Sequence, residues 1–395
     1  MAAFLPYGRQ TIEDDDVAAV VQALRSDMLT TGPRVEEFEA AFAAVSGAKH
    51  AVASNSGTAA LHLAAMAAGL GPGDLAIVPT LTFLATANAV RMTGAEVVFA
   101  DVDDDTGLLT TVTLEQAITR AKKGGGTLKA AFPVHLNGQV CDMAGLAGTA
   151  SRHDIVMVED ACHALGVAGI GVARHSASAC FSTHPVKAIA TGEGGVTTTG
   201  DATTAEAMRS LRSHGMMRDP SRFALKDQAF DAGNPNPWYY EMPVFGWNYR
   251  MPDLLCALGV SQLKKLARFY ARRLEIVARY DELLSPLAPI LRPVPHGSTA
   301  HGWHIYAVLI DFQSLGLSRR QVMEALRSRD IGSQVHYVPV HRQPYYRDRY
   351  GALVLPGADN YYNRCLSIPL FPLMSDADVD RVVAALTAIV AGKVS

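Results

Sequence analysis

The sequence predicts an α/β fold built on a mostly parallel sheet, and three observations predict it. From residue 51 to about 200, short β-rich runs alternate with helical stretches. Those runs are apolar on both faces, the pattern of strands buried between layers of helices. The 395 residues exceed what one ordinary core occupies, so a second, smaller unit is expected beside the first.

In chain order, the strand candidates are Ala76–Pro79, Val97–Asp101, Ala130–Val134, Ile155–Asp160, Ala179–Ser182 and Gly195–Thr199. Helices are expected between them, for example Thr58–Gly69, Thr113–Lys122 and Met143–His153. In such sheets ligands bind at the carboxyl ends of the strands. Asp219–Pro237 is rich in Asp, Gly, Asn and Pro and reads as a long loop. One long helix is expected from Asp253, where Leu255, Leu258, Leu263, Leu266, Tyr270, Leu274 and Val277 recur at spacings near three and four. It would link a large unit, residues 1–250, to a smaller α+β unit within 251–395. That unit has strand candidates at His304–Ile310 and Gln334–Val338 and a helix near Arg319–Arg327.

Composition narrows the function. Hydrophobic residues make up 49% and charged residues 18%, which excludes disordered and fibrous classes. A formal net charge of −3 offers no basic field for nucleic acid. The five cysteines, at 141, 162, 180, 256 and 365, show no CxxC or metal-ligand spacing. No metal is therefore expected, and free thiols fit a reducing cytoplasm. The N-terminal MAAFLPYGRQTIEDDD has no signal-peptide pattern, and no apolar run approaches the ~20 residues that span a bilayer.

Four motifs carry candidate chemistry. In FSTHPVKAIATGEGG, Lys187 follows a strand at the sheet mouth, where an amine could meet a carbonyl cofactor; a surface lysine beside a loop is the plainer alternative. Asp160 ends IVMVED, either as a cap or turn residue or as the carboxylate partner of a protonated pyridine nitrogen. Glu159 should point to the opposite face. SNSGTAALHLAA places Gly57 and Thr58 at a helix N-terminus, which is either an ordinary cap or a phosphate site. In PTLTFLATANAV, Phe83 is either core or a ring to stack on a flat cofactor. The GIG at 169–171 lacks a dinucleotide fingerprint and reads as a hairpin turn. Together the four supply an amine, a ring partner, a phosphate site and a stacking ring.

SNSGTAALHLA, VEDACHALG, FSTHPVKAIATGEGG, RSHGM and GWNYRM resemble the successive motifs of the DegT/DnrJ/EryC1/StrS aminotransferases. The resemblance implies a fold-type I, aspartate aminotransferase-like transferase dependent on pyridoxal 5′-phosphate (PLP), with a seven-stranded sheet in the large domain. It implies Lys187 as the Schiff-base lysine and Asp160 as the pyridine-nitrogen partner. His163 would lie beside the cofactor's phenolic oxygen. Ser182, Gly57 and Thr58 would hold its phosphate, and Phe83 would stack on its ring. Asn248 would reach the phosphate of the neighbouring subunit, which implies a homodimer with shared active sites. Tyr7, Arg250, His336 and Tyr337 fall on the substrate side.

NPWYYEMPVFGWNYRM and GSQVHYVPVHRQPYYR look most like the subgroup that aminates C4 of a UDP-linked 4-keto-6-deoxy-N-acetylhexosamine in pseudaminic acid biosynthesis. L-Glutamate is the implied donor, in a ping-pong cycle through pyridoxamine phosphate (PMP). Cys162 departs from the family's usual small residue. The alternatives are a C3 or C4 aminotransferase on another nucleotide-linked keto sugar (legionaminic acid, perosamine or aminoglycoside type) and a non-catalytic PLP-binding regulator. A nicotinamide enzyme is disfavoured because no GxGxxG opens a helix.

Overall fold

The computed structural model describes residues 3–172, 174–296 and 301–393. Its central sheet has seven strands: β1 (His50–Ser54), β2 (Asp74–Pro79), β3 (Glu96–Ala100), β4 (Thr127–Ala131), β5 (Val156–Asp160), β6 (Ser178–Ser182) and β7 (Gly195–Thr199). Their order is β1-β7-β6-β5-β4-β2-β3. The ladders from β6 through β5, β4 and β2 to β3 are parallel, and β7 pairs antiparallel with β6 and β1. Mostly parallel strands between helices make this the α/β fold expected, with the seven-stranded sheet that the resemblance implies. β1 was not among the sequence candidates. β2, DLAIVP, is buried at all six residues, as a strand covered on both faces must be. The polar run in β7 is buried because its hydroxyls are used: Thr197 donates to Ala60 O at 3.0 Å and Thr199 to Ala177 O at 2.8 Å.

Helices α1 (Asp14–Leu24), α2 (Pro33–Ser46), α3 (Gly57–Ala67), α4 (Leu84–Met92), α5 (Thr111–Gly124), α6 (Met143–Ser151) and α7 (Ala202–Leu211) accompany the sheet. α3 is buried over the whole stretch Ala59–Ala65, which explains why its residues, His62 excepted, are apolar all round. The turn containing Gly169 and Gly171 belongs to no hairpin among the described residues. A Cβ on Gly171 would press on Ser46 Cβ at 3.0 Å and Phe181 at 3.2 Å, so that glycine permits close packing. Asp219–Pro237 is not a bare loop. It contains α8 (Lys226–Ala229) and a two-stranded ribbon, β8 (Phe230–Asp231) with β9 (Asn234–Pro235).

The long helix expected from Asp253 is two helices, α9 (Asp253–Leu263) and α10 (Leu266–Leu284). The break falls at Lys265, whose ammonium is held by Asp16 at 2.6 Å and Asp15 at 2.7 Å; the neighbouring Gln262 amide bonds Asp16 at 2.7 Å. These ties fasten the corner to α1, and apolar spacing carries no record of them. Leu274 lies outside the buried face of α10, which is formed by Leu266, Phe269, Arg273, Ile276, Val277, Tyr280 and Leu284.

Beyond α10, β10 (Leu291–Pro293), β11 (Tyr306–Ile310) and β12 (Cys365–Ile368) form an antiparallel sheet. It is accompanied by α11 (Phe312–Leu315), α12 (Arg319–Arg327), α13 (Pro344–Tyr350), α14 (Pro356–Arg364) and α15 (Asp376–Val390). A separate core joins α10, α12, α15 and this sheet through Ile276, Val308, Leu326, Leu366 and Leu386. The strand expected at Gln334–Val338 is absent. Only Gln334 makes a bridge, to Ser367, and the following residues turn toward the large sheet.

Candidate active site

The carboxyl ends of β1, β2, β5 and β6 and the amino end of the reversed β7 meet at one edge of the large sheet. A cavity of about 670 Å³ opens there. It is lined by Gly57, Thr58, Phe83, Asp160, Ser182 and Lys187, and by His163, Tyr7, His336 and Tyr337 from farther along the chain.

β1 runs into α3 through Asn55 and Ser56. Ser56 caps the helix, accepting the Ala59 N–H at 3.1 Å. The first helical hydrogen bond is Ala60 N to Ser56 O at 3.0 Å, so the N–H groups of Gly57 and Thr58 precede the intrahelical ladder. Unused amides and the helix dipole suit a phosphate. Ser182 closes the other side. A Cβ on Gly57 would lie 2.9 Å from Ser182 Cβ and 3.2 Å from its Oγ. A Cβ on Gly195 would lie 2.2 Å from Ser56 O, so β7 can pass only as glycine.

Asp160 is 5% exposed. Its Oδ2 accepts the Thr86 hydroxyl at 2.6 Å, and its Oδ1 accepts the Cys162 N–H at 3.1 Å. Glu159 does face the other way, where it meets His135 Nε2 at 3.0 Å. Lys187 ends a turn that follows β6, with its N–H bonded to His184 O at 2.8 Å. Burial holds its amine below the ordinary lysine range, opposed by Cys162 and Asp160. A larger share of it is therefore the free amine at neutral pH.

The opposite wall is imidazole-rich. His163 Nε2 lies 3.2 Å from the Tyr337 hydroxyl, and its Nδ1 is buried without a partner. Burial, then Lys187 and His336, keep it neutral well below the usual histidine range. His304 packs on it at a ring distance of 4.5 Å. His336 bonds Ser367 Oγ at 2.8 Å and faces Tyr7 at 5.4 Å; burial and Lys187 push its pKa down to about 3. Phe83 caps α4 and is 57% exposed, with Tyr337 5.9 Å away.

Ten of the twelve sequence candidates thus line one cavity. Asn248 and Arg250 do not. Asn248 is exposed, and its carbonyl accepts Asn55 Nδ2 at 3.4 Å. Sequence reading missed Thr86, three residues past Phe83 on the same helix turn, a spacing that could have revealed it. It also missed His304, which no local pattern marks. Among the described residues, no cluster of His, Cys, Asp or Glu is placed to hold a metal, and no helix is long and apolar enough to cross a membrane.

The lining fits PLP. A cup of helix-start amides and a serine suits its phosphate, a buried carboxylate suits its ring nitrogen, and an amine of lowered pKa suits its carbonyl. The neutral His163 imidazole in the same lining suits its hydroxyl.

Residues 10–387 match the family model described as the DegT/DnrJ/EryC1/StrS aminotransferase family. The chain is 41% identical over 399 residues to the spore coat polysaccharide biosynthesis protein SpsC of Bacillus subtilis (strain 168), covering 98% of each. Among solved structures it is similar to PseC of Helicobacter pylori, an aminotransferase involved in the biosynthesis of pseudoaminic acid. That likeness has a TM-score of 0.87 at 26% identity and covers 98% of this chain and 100% of the other. It is also similar to a Streptococcus pneumoniae protein described as a sugar aminotransferase and solved in a PMP form. There the TM-score is 0.86 at 28% identity, covering 99% of this chain and 100% of the other. The same pneumococcal protein has a PLP form.

Proposed function

Because the chain belongs to the DegT/DnrJ/EryC1/StrS family of PLP-dependent sugar aminotransferases, we propose that it moves an amino group from L-glutamate to C4 of a UDP-linked 4-keto-6-deoxy-N-acetylhexosamine. The observation that carries the site assignment is the convergence of Lys187, Asp160 and the Gly57–Thr58–Ser182 cup on one cavity. Bound there, PLP supplies an electron-withdrawing ring that makes a proton on the amine-bearing carbon removable.

The chain's own residues do the rest. The Gly57 and Thr58 amides and the Ser182 hydroxyl bind the phosphate. Phe83 covers one ring face. Asp160 holds the proton at the ring nitrogen. His163, neutral, bonds the ring hydroxyl, with Tyr337 behind it. Lys187 Nζ would hold the carbonyl and, as a free amine, would take a proton from one carbon and return it to another; its lowered pKa suits both roles. Tyr7, His336 and Tyr337 border the space for the sugar.

The working unit in this reading is a homodimer with shared sites. Asn248 and Arg250 lie outside their own chain's cavity. The segment leading to them exposes Trp238 (73%), Met242 (60%) and Phe245 (71%), apolar surface of the kind a partner copy covers.

PseC, which resembles this chain in structure, supports the pseudaminic-type substrate. The higher identity to SpsC favours a second reading, amination of another nucleotide-linked keto sugar that feeds a surface polysaccharide. A panel of UDP- and dTDP-linked 3-keto and 4-keto sugars, assayed with L-glutamate and read by product mass and NMR, separates the two. Preferred C4 amination of the UDP-linked N-acetyl sugar is expected. Turnover confined to a dTDP-sugar, or amination at C3, would replace the first reading with the second.

A further inference from the structure

The two carboxylate oxygens of Asp160 are engaged by the protein itself, one by the Cys162 N–H and one by the Thr86 hydroxyl at 2.6 Å. A second hydroxyl stands behind the first, with Thr82 Oγ1 2.7 Å from Thr86 Oγ1. An ionised carboxylate only accepts, and each threonine carries one hydroxyl proton. The Thr86 proton is therefore committed to Asp160 and the Thr82 proton to Thr86, so the chain runs in one direction. Thr86 is fully buried and Thr82 is 1% exposed, so water does not compete.

A buried threonine in a helix commonly bonds back to a carbonyl of the preceding turn. Here that carbonyl, Phe83 O, is 3.4 Å away, far longer than the contact to Asp160. Capping thus leaves the hydroxyl's placement unexplained.

We propose that Thr86, backed by Thr82, is a positioning residue that holds the Asp160 carboxylate turned toward the cavity, and so sets how firmly the ring nitrogen of the cofactor is held protonated. The inference rests on the role given to Asp160 above. Hydrogen bonds donated to the charged form of an acid favour that form. A bond to a charged acceptor in a dry site is also stronger than one in water. The same helix turn carries Phe83, so α4 would fix both the ring's stacking partner and its charge partner.

The test uses the holoenzyme with Thr86→Val, which keeps the shape, Thr86→Ser, which restores the hydroxyl, and Asp160→Asn. Two quantities are followed, steady-state kinetics and the pH titration of the bound cofactor's visible absorbance. Thr86→Val should lower kcat by about tenfold or more, the loss expected for a hydrogen bond to a charged group. KM for both substrates should change by no more than about threefold, because substrate binding is untouched. The absorbance midpoint, which follows the proton on the imine nitrogen, should move to higher pH, because a carboxylate less firmly turned to the ring holds the ring proton less well and a less charged ring withdraws less from the imine. Thr86→Ser should recover both, and Thr82→Val should give a smaller change in the same direction. In the Asp160→Asn background, Thr86→Val should change kcat by less than about twofold, as for residues acting through one another.

An unchanged titration and kcat in Thr86→Val, beside an impaired Asp160→Asn, would overturn this inference alone. So would an effect of full size in the Asp160→Asn background. Full activity of Asp160→Asn would overturn the Asp160 role and this inference with it. If Thr86→Val does not fold, Thr82→Val decides, and an unaltered midpoint there counts against the chain of hydroxyls.

Discussion

Replacing Gly57 with alanine probes the phosphate cup through a single methyl group. The new Cβ would stand 2.9 Å from Ser182 Cβ, while ordinary contact begins near 3.4 Å, so Ser182 must retreat by about 0.5 Å or α3 must shift. The helix itself does not resist, since alanine is favoured over glycine in helices by up to about 1 kcal/mol. The damage should therefore fall on the ligand. Displacing the Ser182 hydroxyl removes a charge-assisted hydrogen bond to phosphate, worth about 1.5–3 kcal/mol, or a ~10–150-fold weaker Kd for PLP. Titrating the apoprotein with PLP while following its absorbance gives Kd directly, and thermal unfolding of the apoprotein checks the fold. The expected result is a weakened Kd with Tm nearly unchanged. Ser182→Ala should reproduce the loss, and the double variant should add little to either. A wild-type Kd in Gly57→Ala would refute the placement of phosphate between α3 and Ser182.

Two further predictions concern assembly and acid stability. Mixing Lys187→Ala subunits with subunits carrying Asn248→Glu should restore activity on exchange, because one site of each mixed dimer then carries neither lesion; no recovery in dimers shown to have exchanged would argue against shared sites. His62 is buried beside Trp247 and Tyr249, and burial lowers its pKa to about 4. The unfolded chain titrates this group near 6.5 and binds more protons between those values, so its contribution to stability is full above about pH 6.5 and is lost as pH falls toward 4. His301 and His336, each held near 3 chiefly by burial, act in the same direction. Urea midpoints should fall from pH 7.5 to pH 5, less so in His62→Gln, and a flat profile would contradict the assignment.

The strands of the large sheet were legible because two-sided apolar runs end on polar residues, as IVMVED ends on Asp160 and ACFS on Ser182. β1 was not, since HAVAS is short and built of small residues. The break between α9 and α10 left no trace in the spacing of leucines, because it is fastened by Lys265 to acids nearly 250 residues away. QVHYV alternates like a strand, yet only Gln334 is bridged, and His336 and Tyr337 serve the cavity. Within the site, residues of one local motif could be read together. Thr86 shares a helix turn with Phe83 and could have been read from that spacing, whereas His304 acquires meaning only from its tertiary neighbour His163. Asn248 and Arg250 show the converse, a motif that a single chain does not bring to its own cavity.

The central claim is that Lys187, among the lysines of this chain, carries the cofactor. Borohydride reduction of the PLP-loaded protein, followed by proteolysis and mass spectrometry, tests it directly by fixing the cofactor to whichever amine holds it. The reduced adduct is expected on the peptide containing FSTHPVKAIATGEGG, localised by fragmentation to Lys187, and absent from Lys187→Ala. A stoichiometric adduct on another lysine, or its persistence in Lys187→Ala, would contradict the account.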